Sequence, residues 1–188
     1  MTTDWKAVLA VHADYARKKL LHVGELAPLA VVHSSDGNVV WMPLPFSDAD
    51  DRQIAWLTVR MASLAYDAIA IAVIVEAWTR KVERRIGESD AETVARISEA
   101  EDRIEVISIQ LCYREAERIR WLVTMDEIVR DGDGRPIAFN PIEHEDEPRE
   151  VGGAIGALLH DFHPTAEQQR AARGLLEMIC AIEKIKLT

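Results

Sequence analysis

Cysteine, glycine and proline are scarce in this sequence, and their scarcity excludes several classes of protein. The 188 residues include two cysteines, nine glycines and seven prolines, so the chain is neither a disulfide-rich scaffold nor a collagen-like or low-complexity polymer. Cys112 and Cys180 lie far apart, and neither has a partner at the short spacings that zinc and redox motifs require. We therefore expect two reduced thiols in the core.

Long apolar runs are also missing. The longest, residues 68–75, is much shorter than the roughly 20 residues that a membrane-spanning helix needs. Residues 1–5 lack the succession of basic, apolar and small residues that marks a secretory signal. These absences predict a protein of the reducing cytoplasm that is not inserted in a membrane.

Positive charge is in deficit. Twenty-two basic residues against 32 acidic ones give a net charge of −10, which repels a phosphate backbone and disfavours binding to nucleic acid. Acidic stretches at 48–51, 88–102 and 143–150 could mimic phosphate groups, so an acidic anti-defence inhibitor that blocks a DNA-binding partner is one alternative function. Solvated faces and helix starts are the commoner use of such stretches.

The rest of the composition is typical of a globular protein. Hydrophobic residues make up 48% of the chain and charged residues 29%. A chain of this length buries about 70% of the surface that its unfolded form exposes. We expect a single domain over residues 1–188 with its own core.

The first 45 residues predict a helix followed by a hairpin. Thr3 is the expected N-cap of an amphipathic helix over residues 3–22. Two short strands, 29–33 and 39–42, then flank a loop that contains Asp-Gly. This dipeptide readily adopts the positive φ angles of a hairpin turn.

A second helix and a buried strand follow. Ser47 is expected to open the helix, with aspartates in its first turn where backbone N–H groups are unpaired. Its apolar residues recur at helical spacing and should pack on a sheet: Ile54, Leu57, Met61, Leu64 and Ala68. Residues 69–75 are apolar and rich in β-branched types, which is typical of a central strand covered on both faces. A charged excursion at 79–102 comes next, where Ser89 and Glu92 predict a capped short helix.

The pattern then returns to strands. Residues 104–113 and 119–130 predict two long strands joined by a tight polar connection. A turn at 131–134 leads into a further strand at 137–139, which completes a meander. The turn resembles a calcium loop only in its first residues, because its twelfth position is Ile142 where a glutamate is required.

The C-terminal part, 151–188, is predicted to be a helical tail. One helix is expected over 151–162, and Thr165 with Gln168 three residues later predicts the cap of a last helix.

Strand runs separated by a helix, rather than strictly alternating strands and helices, predict an α+β fold. We expect a mostly antiparallel sheet of five to six strands with N- and C-terminal helices. This order resembles the profilin-like and the roadblock or longin-type arrangements, which implies a binding or dimerising module by analogy of fold alone.

The first candidate site is a charged end of this sheet. If the strand that ends near Glu76 pairs antiparallel with the strand that starts near Arg103, then Glu76, Trp78, Asp102, Arg103 and Glu105 gather at one edge. Carboxylates beside a guanidinium could bind a metal, a cationic group or the backbone of a partner. The alternative interpretation, which weighs more, is an ion-pair cluster that orders the excursion.

Two histidines form the second candidate. His160 and His163 are three residues apart and would share one side of a helix, where they could ligate a transition metal. A third ligand would have to come from elsewhere, such as Glu143, His144 or Asp146. The alternative, which weighs more, is a helix C-terminus, where histidine interacts well with exposed carbonyl groups.

Two short strings carry a resemblance. These are Glu-Ala-Trp at 76–78 and Ser-Glu-Ala-Glu-Asp-Arg-Ile-Glu-Val at 98–106. Together they resemble a pattern in small uncharacterised bacterial and phage-encoded proteins and cover about the middle third of the chain. The resemblance implies a prophage context and no activity.

These observations favour a non-catalytic interaction or assembly module that binds a protein partner or forms a homodimer, with a regulatory or phage-related role. The sequence contains no nucleophile elbow, no phosphate-binding glycine loop and no activated cysteine, and we predict no cofactor. Five tryptophans support an interface, since aromatic residues are enriched in interface cores. The rival is a metal-dependent hydrolase that uses Glu76, Asp102 and Glu105, or the pair of histidines.

Overall fold

The computed structural model describes residues 3–44, 49–79, 89, 92, 100–116, 118–142, 149–150, 157–160 and 162–183. Within these ranges one antiparallel sheet lies between helices on both faces, so the predicted α+β class is confirmed. The elements are α1 (Trp5–Val23), β1 (Leu29–Ser34), β2 (Val39–Pro43), α2 (Ala49–Ala65), β3 (Ala68–Thr79), β4 (Ile104–Glu115), β5 (Arg118–Arg130), β6 (Pro136–Pro141), β7 (Arg149–Glu150) and α3 (Ala166–Glu183).

The sheet has the strand order β2-β1-β3-β4-β5-β6, and the short β7 pairs with the first part of β5. The predicted hairpin is confirmed, because β1 and β2 pair antiparallel around Gly37, whose φ is +89°. The predicted neighbour relation of β3 and β4 is confirmed as well. β3 and β4 are the central strands and run antiparallel. Each end of the sheet therefore contains the start of one of these strands and the end of the other.

The apolar run of β3 is continuous because both faces of this strand are buried. Alternate side chains point to opposite faces of a strand. Ala72 and Ile74 belong to the core beneath α1, whereas Ile71 and Val73 belong to the core beneath α2 and α3. A central strand in a three-layer arrangement has to be apolar on both faces, and this gives the run its length.

α1 begins one residue later than predicted. The N-cap is Asp4, whose Oδ1 accepts a hydrogen bond from the backbone N of Ala7 at 3.1 Å, so the assignment of Thr3 was wrong. An aspartate at this position serves both as cap and as negative charge at the positive end of the helix dipole. The helix ends at Gly24 in the left-handed conformation, with φ of 89°.

A buried ion pair fastens α1 to the sheet. The guanidinium of Arg17 donates from Nε to Asp126 Oδ2 at 2.9 Å and from Nη2 to Oδ1 at 2.8 Å. Asp126 lies on β5 and is 0% exposed. Paired geometry of this kind compensates a buried carboxylate for the water that it has lost.

The apolar stripe predicted for α2 was partly wrong. Leu57 is 49% exposed and Ala68 is already the first residue of β3. The buried face consists mainly of small residues: Ala55, Thr58, Val59, Ala62, Ser63 and Ala65. Small side chains let a helix approach a sheet closely, and the larger residues then flank the contact. Ser47, the expected start of this helix, lies outside the described residues.

The predicted helix at 151–162 is not helical where it is described. Residues 157–160 form a turn and residues 162–165 are irregular. Proline disfavours the helical conformation in the residue that precedes it, and Pro164 imposes this on His163. The last helix starts as predicted, since Thr165 N–H donates to Gln168 Oε1 at 2.8 Å and Gln168 N–H donates to Thr165 Oγ1 at 3.2 Å.

The excursion at 79–102 lies mostly outside the described residues, while Thr79 still belongs to β3. The predicted cap is present, because Ser89 N–H and Oγ both bind Glu92 Oε2, at 2.8 and 2.7 Å. None of the described helices contains an apolar stretch that could cross a bilayer.

Candidate functional site

The predicted charged end exists, and its register explains which side chains meet. Trp78 pairs with Glu105, and Glu76 pairs with Ile107. Residues two apart on a strand share a face, and paired residues share it too. Glu76, Trp78 and Glu105 therefore stand on the α1 face, just beyond the point where α1 ends.

The guanidinium at this end belongs to Arg130 of β5, a residue that the sequence analysis missed. Its Nε and Nη2 each donate to Glu105 at 2.7 Å, and Nη2 also lies 3.2 Å from Glu76 Oε2. Its Nη1 donates to the carbonyls of Gly24 at 3.3 Å and Gly134 at 3.0 Å. An arginine has five N–H donors, so all of them are used within the cluster.

The two carboxyl groups of this cluster differ in acidity. Burial raises the pKa of Glu76 above its ordinary value, although a hydrogen bond from Leu26 N–H opposes the shift. Hydrogen bonds from Arg130 lower the pKa of Glu105. Glu76 also holds the segment after α1 against the sheet. With every donor of Arg130 engaged, the geometry favours a structural ion-pair network over a ligand site.

The other three predicted residues lie beside this network. The guanidinium carbon of Arg103 stands 4.5 Å from the ring centroid of Trp78, a cation–π arrangement. Asp102 lies in the turn that leads into β4 and its side chain is exposed. Binding through Glu76, Trp78, Asp102, Arg103 and Glu105 stays a prediction.

A signal for Arg130 was present in the sequence. Antiparallel return of β5 along β4 brings the end of β5 to the start of β4, where Glu105 lies. Counting the register through the meander would have placed a basic residue there.

The two histidines do not form the predicted helical pair. His163 Nδ1 lies 2.9 Å from Asp67 Oδ1, and Arg114 Nη1 lies 3.0 Å from the same nitrogen. The backbone carbonyl of His160 accepts from Arg114 Nη2 at 2.6 Å. The described residues contain no group of three or more metal-ligating side chains. The residues suggested as a third ligand, Glu143, His144 and Asp146, lie outside the described ranges.

His163 belongs instead to a cluster at the opposite end of the sheet, which we call the Asp67 cluster: Asp67, His163 and Arg114. Ser35 Oγ also donates to Asp67 Oδ2 at 2.7 Å, so Asp67 links the hairpin turn to the segment before α3. Two clefts of about 410 and 380 Å³ flank this cluster.

Backbone strain is concentrated at these clefts. Among the described residues other than glycine, only Asp67 and Ala116 have positive φ, at 45° and 52°. Asp67 lines the larger cleft and Ala116 the smaller. Left-handed conformations cost free energy for residues with a side chain, and such strain often marks functional positions. Aspartate is a residue type that tolerates this conformation, whereas Ala116 carries no sequence signal for it.

A buried pair of histidines lies beneath the β2 edge of the sheet. His12 Nε2 and His33 Nε2 are 2.9 Å apart. The ring centroids of His12 and Trp41 are 5.7 Å apart in a T-shaped arrangement. Burial, together with the nearby His33, lowers the pKa of His12 to about 4. Burial also lowers the pKa of His33. Both rings are therefore neutral near pH 7, and one donates a hydrogen bond to the other.

Both ends of the sheet thus carry polar clusters, and the α1 side of β2 carries aromatic rings.

Comparison of the chain with protein-family models, with curated proteins and with solved structures finds no match in any of the three.

Proposed function

We propose that this protein is an interaction module that forms a homodimer through the open edge of β2. β2 is the end strand of the sheet and pairs with β1 on one side only among the described residues. It contains no charged residue. Natural end strands are usually protected by charges, prolines or bulges, and an unprotected one is a template for pairing with another strand.

Apolar side chains extend this edge onto α1. Val11 and Tyr15 lie four residues apart on α1 and are 66% and 38% exposed. The ring of Tyr15 is 4.8 Å from that of Trp41, and Val39 shares the face of Trp41 because the two are two residues apart on β2. We call these four residues the edge patch. A continuous apolar patch beside an open strand is typical of a protein interface.

The other end strand is protected. β6 begins with Pro136 and ends with Pro141, and proline has no N–H for a new strand to accept. β2 has a proline only at its last position. This difference favours β2 over β6 as the pairing edge.

A second copy of the chain is the partner that best fits this edge, because β2 carries no charge. Antiparallel pairing of β2 with β2 about a two-fold axis is a closed arrangement that needs no other partner. A net charge of −10 makes most pairs of surfaces repel each other, whereas the uncharged β2 sets no like charges against each other. The proposal of a phage-related or regulatory assembly role rests on the strings at 76–78 and 98–106 and adds no activity.

The test is the mass of the protein at equilibrium, measured by sedimentation as a function of concentration. We expect a dimer whose dissociation constant rises at least about tenfold in Val39→Lys, because a lysine placed within the edge patch costs more than about 1.4 kcal/mol.

Ile137→Lys is the matched control. Ile137 is 57% exposed on β6 and Val39 is 43% exposed on β2, so the two changes add the same charge to opposite edges. Equal weakening by both variants, or a wild-type protein that stays monomeric at the highest concentration, would contradict the proposal.

A further inference from the structure

The smaller cleft, at the end of the sheet that holds the Asp67 cluster, combines charge with an apolar wall. Arg114 and His163 line one part of it, and Trp5 and Ile69 line another. Its volume of about 380 Å³ lies in the range of small-molecule sites. It shares no lining residue with the edge patch, so its binding can be tested separately from the proposed dimer.

The hydrogen-bond donors of this cleft are held in place before any ligand arrives. Arg114 Nη2 donates to the carbonyls of His160 and Phe162 at 2.6 and 3.0 Å. Asp67 fixes His163 through Nδ1 at 2.9 Å. Pre-organised donors bind more tightly because less side-chain freedom is lost on binding.

The acidic group of the cleft has a partner of its own. Glu115 also lines the cleft, and its Oε2 lies 3.4 Å from Arg120 Nε. The carboxylate of Asp67 is likewise engaged by Ser35 and His163. The guanidinium of Arg114 is therefore the group with which an anion in this cleft can pair, beside the carboxylate of Glu115, whose side chain is 62% exposed.

The opposite wall is aromatic. Trp5 stacks on Tyr113 with ring centroids 5.4 Å apart, which fixes the indole beside the aliphatic Ile69. A flat apolar group placed against this wall would bury its surface. Ala116, which has a positive φ, also lines the cleft.

We propose that this cleft binds a small organic anion, a carboxylate or phosphate monoester that carries a flat apolar group. The anionic group lies against Arg114 and His163, and the apolar group lies against Trp5 and Ile69. Both parts contribute to affinity, so an anion without a ring and a ring without an anion bind more weakly than the two combined.

Amide chemical shifts of the full chain report this binding directly. Benzoate and phenyl phosphate serve as anionic probes, and benzyl alcohol serves as the neutral probe of similar shape. We expect saturable shifts at residues 5, 69, 114–116 and 163, with benzyl alcohol at least about tenfold weaker, since a charge-assisted hydrogen bond contributes about that factor. Equal affinity for benzyl alcohol and benzoate, shifts that map elsewhere, or shifts that do not saturate would overturn the proposal.

Two variants separate the cleft from nonspecific attraction. Arg114→Gln keeps donors for the carbonyls and removes the charge, and should weaken benzoate binding about tenfold. Arg135→Gln removes one exposed guanidinium at the other end of the sheet and should leave binding unchanged. If Arg114→Gln does not fold, His163→Ala takes its place, because this side chain is 64% exposed; we expect binding to weaken about threefold. Unchanged binding in the folded cleft variant, or equal loss in Arg135→Gln, rejects the site.

Discussion

Arg130 shows how much one side chain decides at the residue scale. Two carboxylates, Glu76 and Glu105, depend on it, each about one-fifth exposed. It also donates to the carbonyl of Gly24 at the end of α1, where a cation is favoured by the helix dipole. Removing it would leave two partly buried negative charges close together.

We predict that Arg130→Met lowers the free energy of unfolding by about 2–4 kcal/mol, because breaking a largely buried pair strands its partners. Urea denaturation measures this loss. Arg135→Met, an exposed arginine a few residues on, is the control and should change stability by less than about 0.5 kcal/mol. Equal losses in both variants would mean that the cluster contributes no stability.

The residue scale also shows the limit of sequence reasoning about sites. Glu76 and Glu105 were predicted to meet because the strand order alone brings them together. The arginine between them was missed, since its position requires the register of a third strand. Asp67 and His163 are 96 residues apart in the chain, and only folding brings them within 2.9 Å.

At the scale of elements, local signals were reliable where the chain interacts with itself over short distances. The Asp-Gly hairpin turn and both capping boxes, Ser89 with Glu92 and Thr165 with Gln168, formed as predicted. Each depends on a hydrogen bond or a φ angle within a few residues. The buried face of α2 was misjudged because the sheet, not the helix, selects which stripe is covered.

The docking of α1 on its apolar core is supplemented by one long-range ion pair, Arg17 with Asp126. We predict that Arg17→Met destabilises the protein by about 3 kcal/mol, because it leaves a fully buried carboxylate without its partner. Thermal or urea unfolding followed by circular dichroism measures the loss.

Lys18→Met provides the comparison for this prediction. Lys18 is the next residue on α1, and its exposed pair with Asp14 at 2.7 Å contributes at most about 0.5 kcal/mol. A small loss in Arg17→Met, similar to that in Lys18→Met, would show that this ion pair contributes little to stability.

On the scale of the whole molecule, stability should depend on pH through the buried histidines. The pKa of His12 is lowered from 6.5 to about 4, so between these values the unfolded chain binds more protons than the folded one. Stability is then fully present above pH 6.5 and is lost as the pH falls toward 4. The shift corresponds to a loss of up to about 3 kcal/mol.

Urea denaturation at several pH values between 4 and 7 measures this dependence. His12→Asn removes the group with the largest shift and keeps a polar partner for His33, so its stability should fall less steeply with decreasing pH than that of the wild type. Identical slopes in both proteins would assign the pH dependence to carboxyl groups such as Glu105, whose pKa is also lowered.

The sequence by itself determined the fold class, the hairpin, the two capping boxes and the central position of β3. These features follow from hydrogen bonds between residues close in the chain and from the spacing of apolar residues. Both are visible in the sequence before any long-range contact is known. Only the tertiary structure decided that Arg130 lies between the two glutamates, and that Asp67, His163 and Arg114 meet beside a cleft. The physical reason is that such contacts join segments far apart in the chain, and their geometry depends on strand register and helix docking, which no local pattern contains.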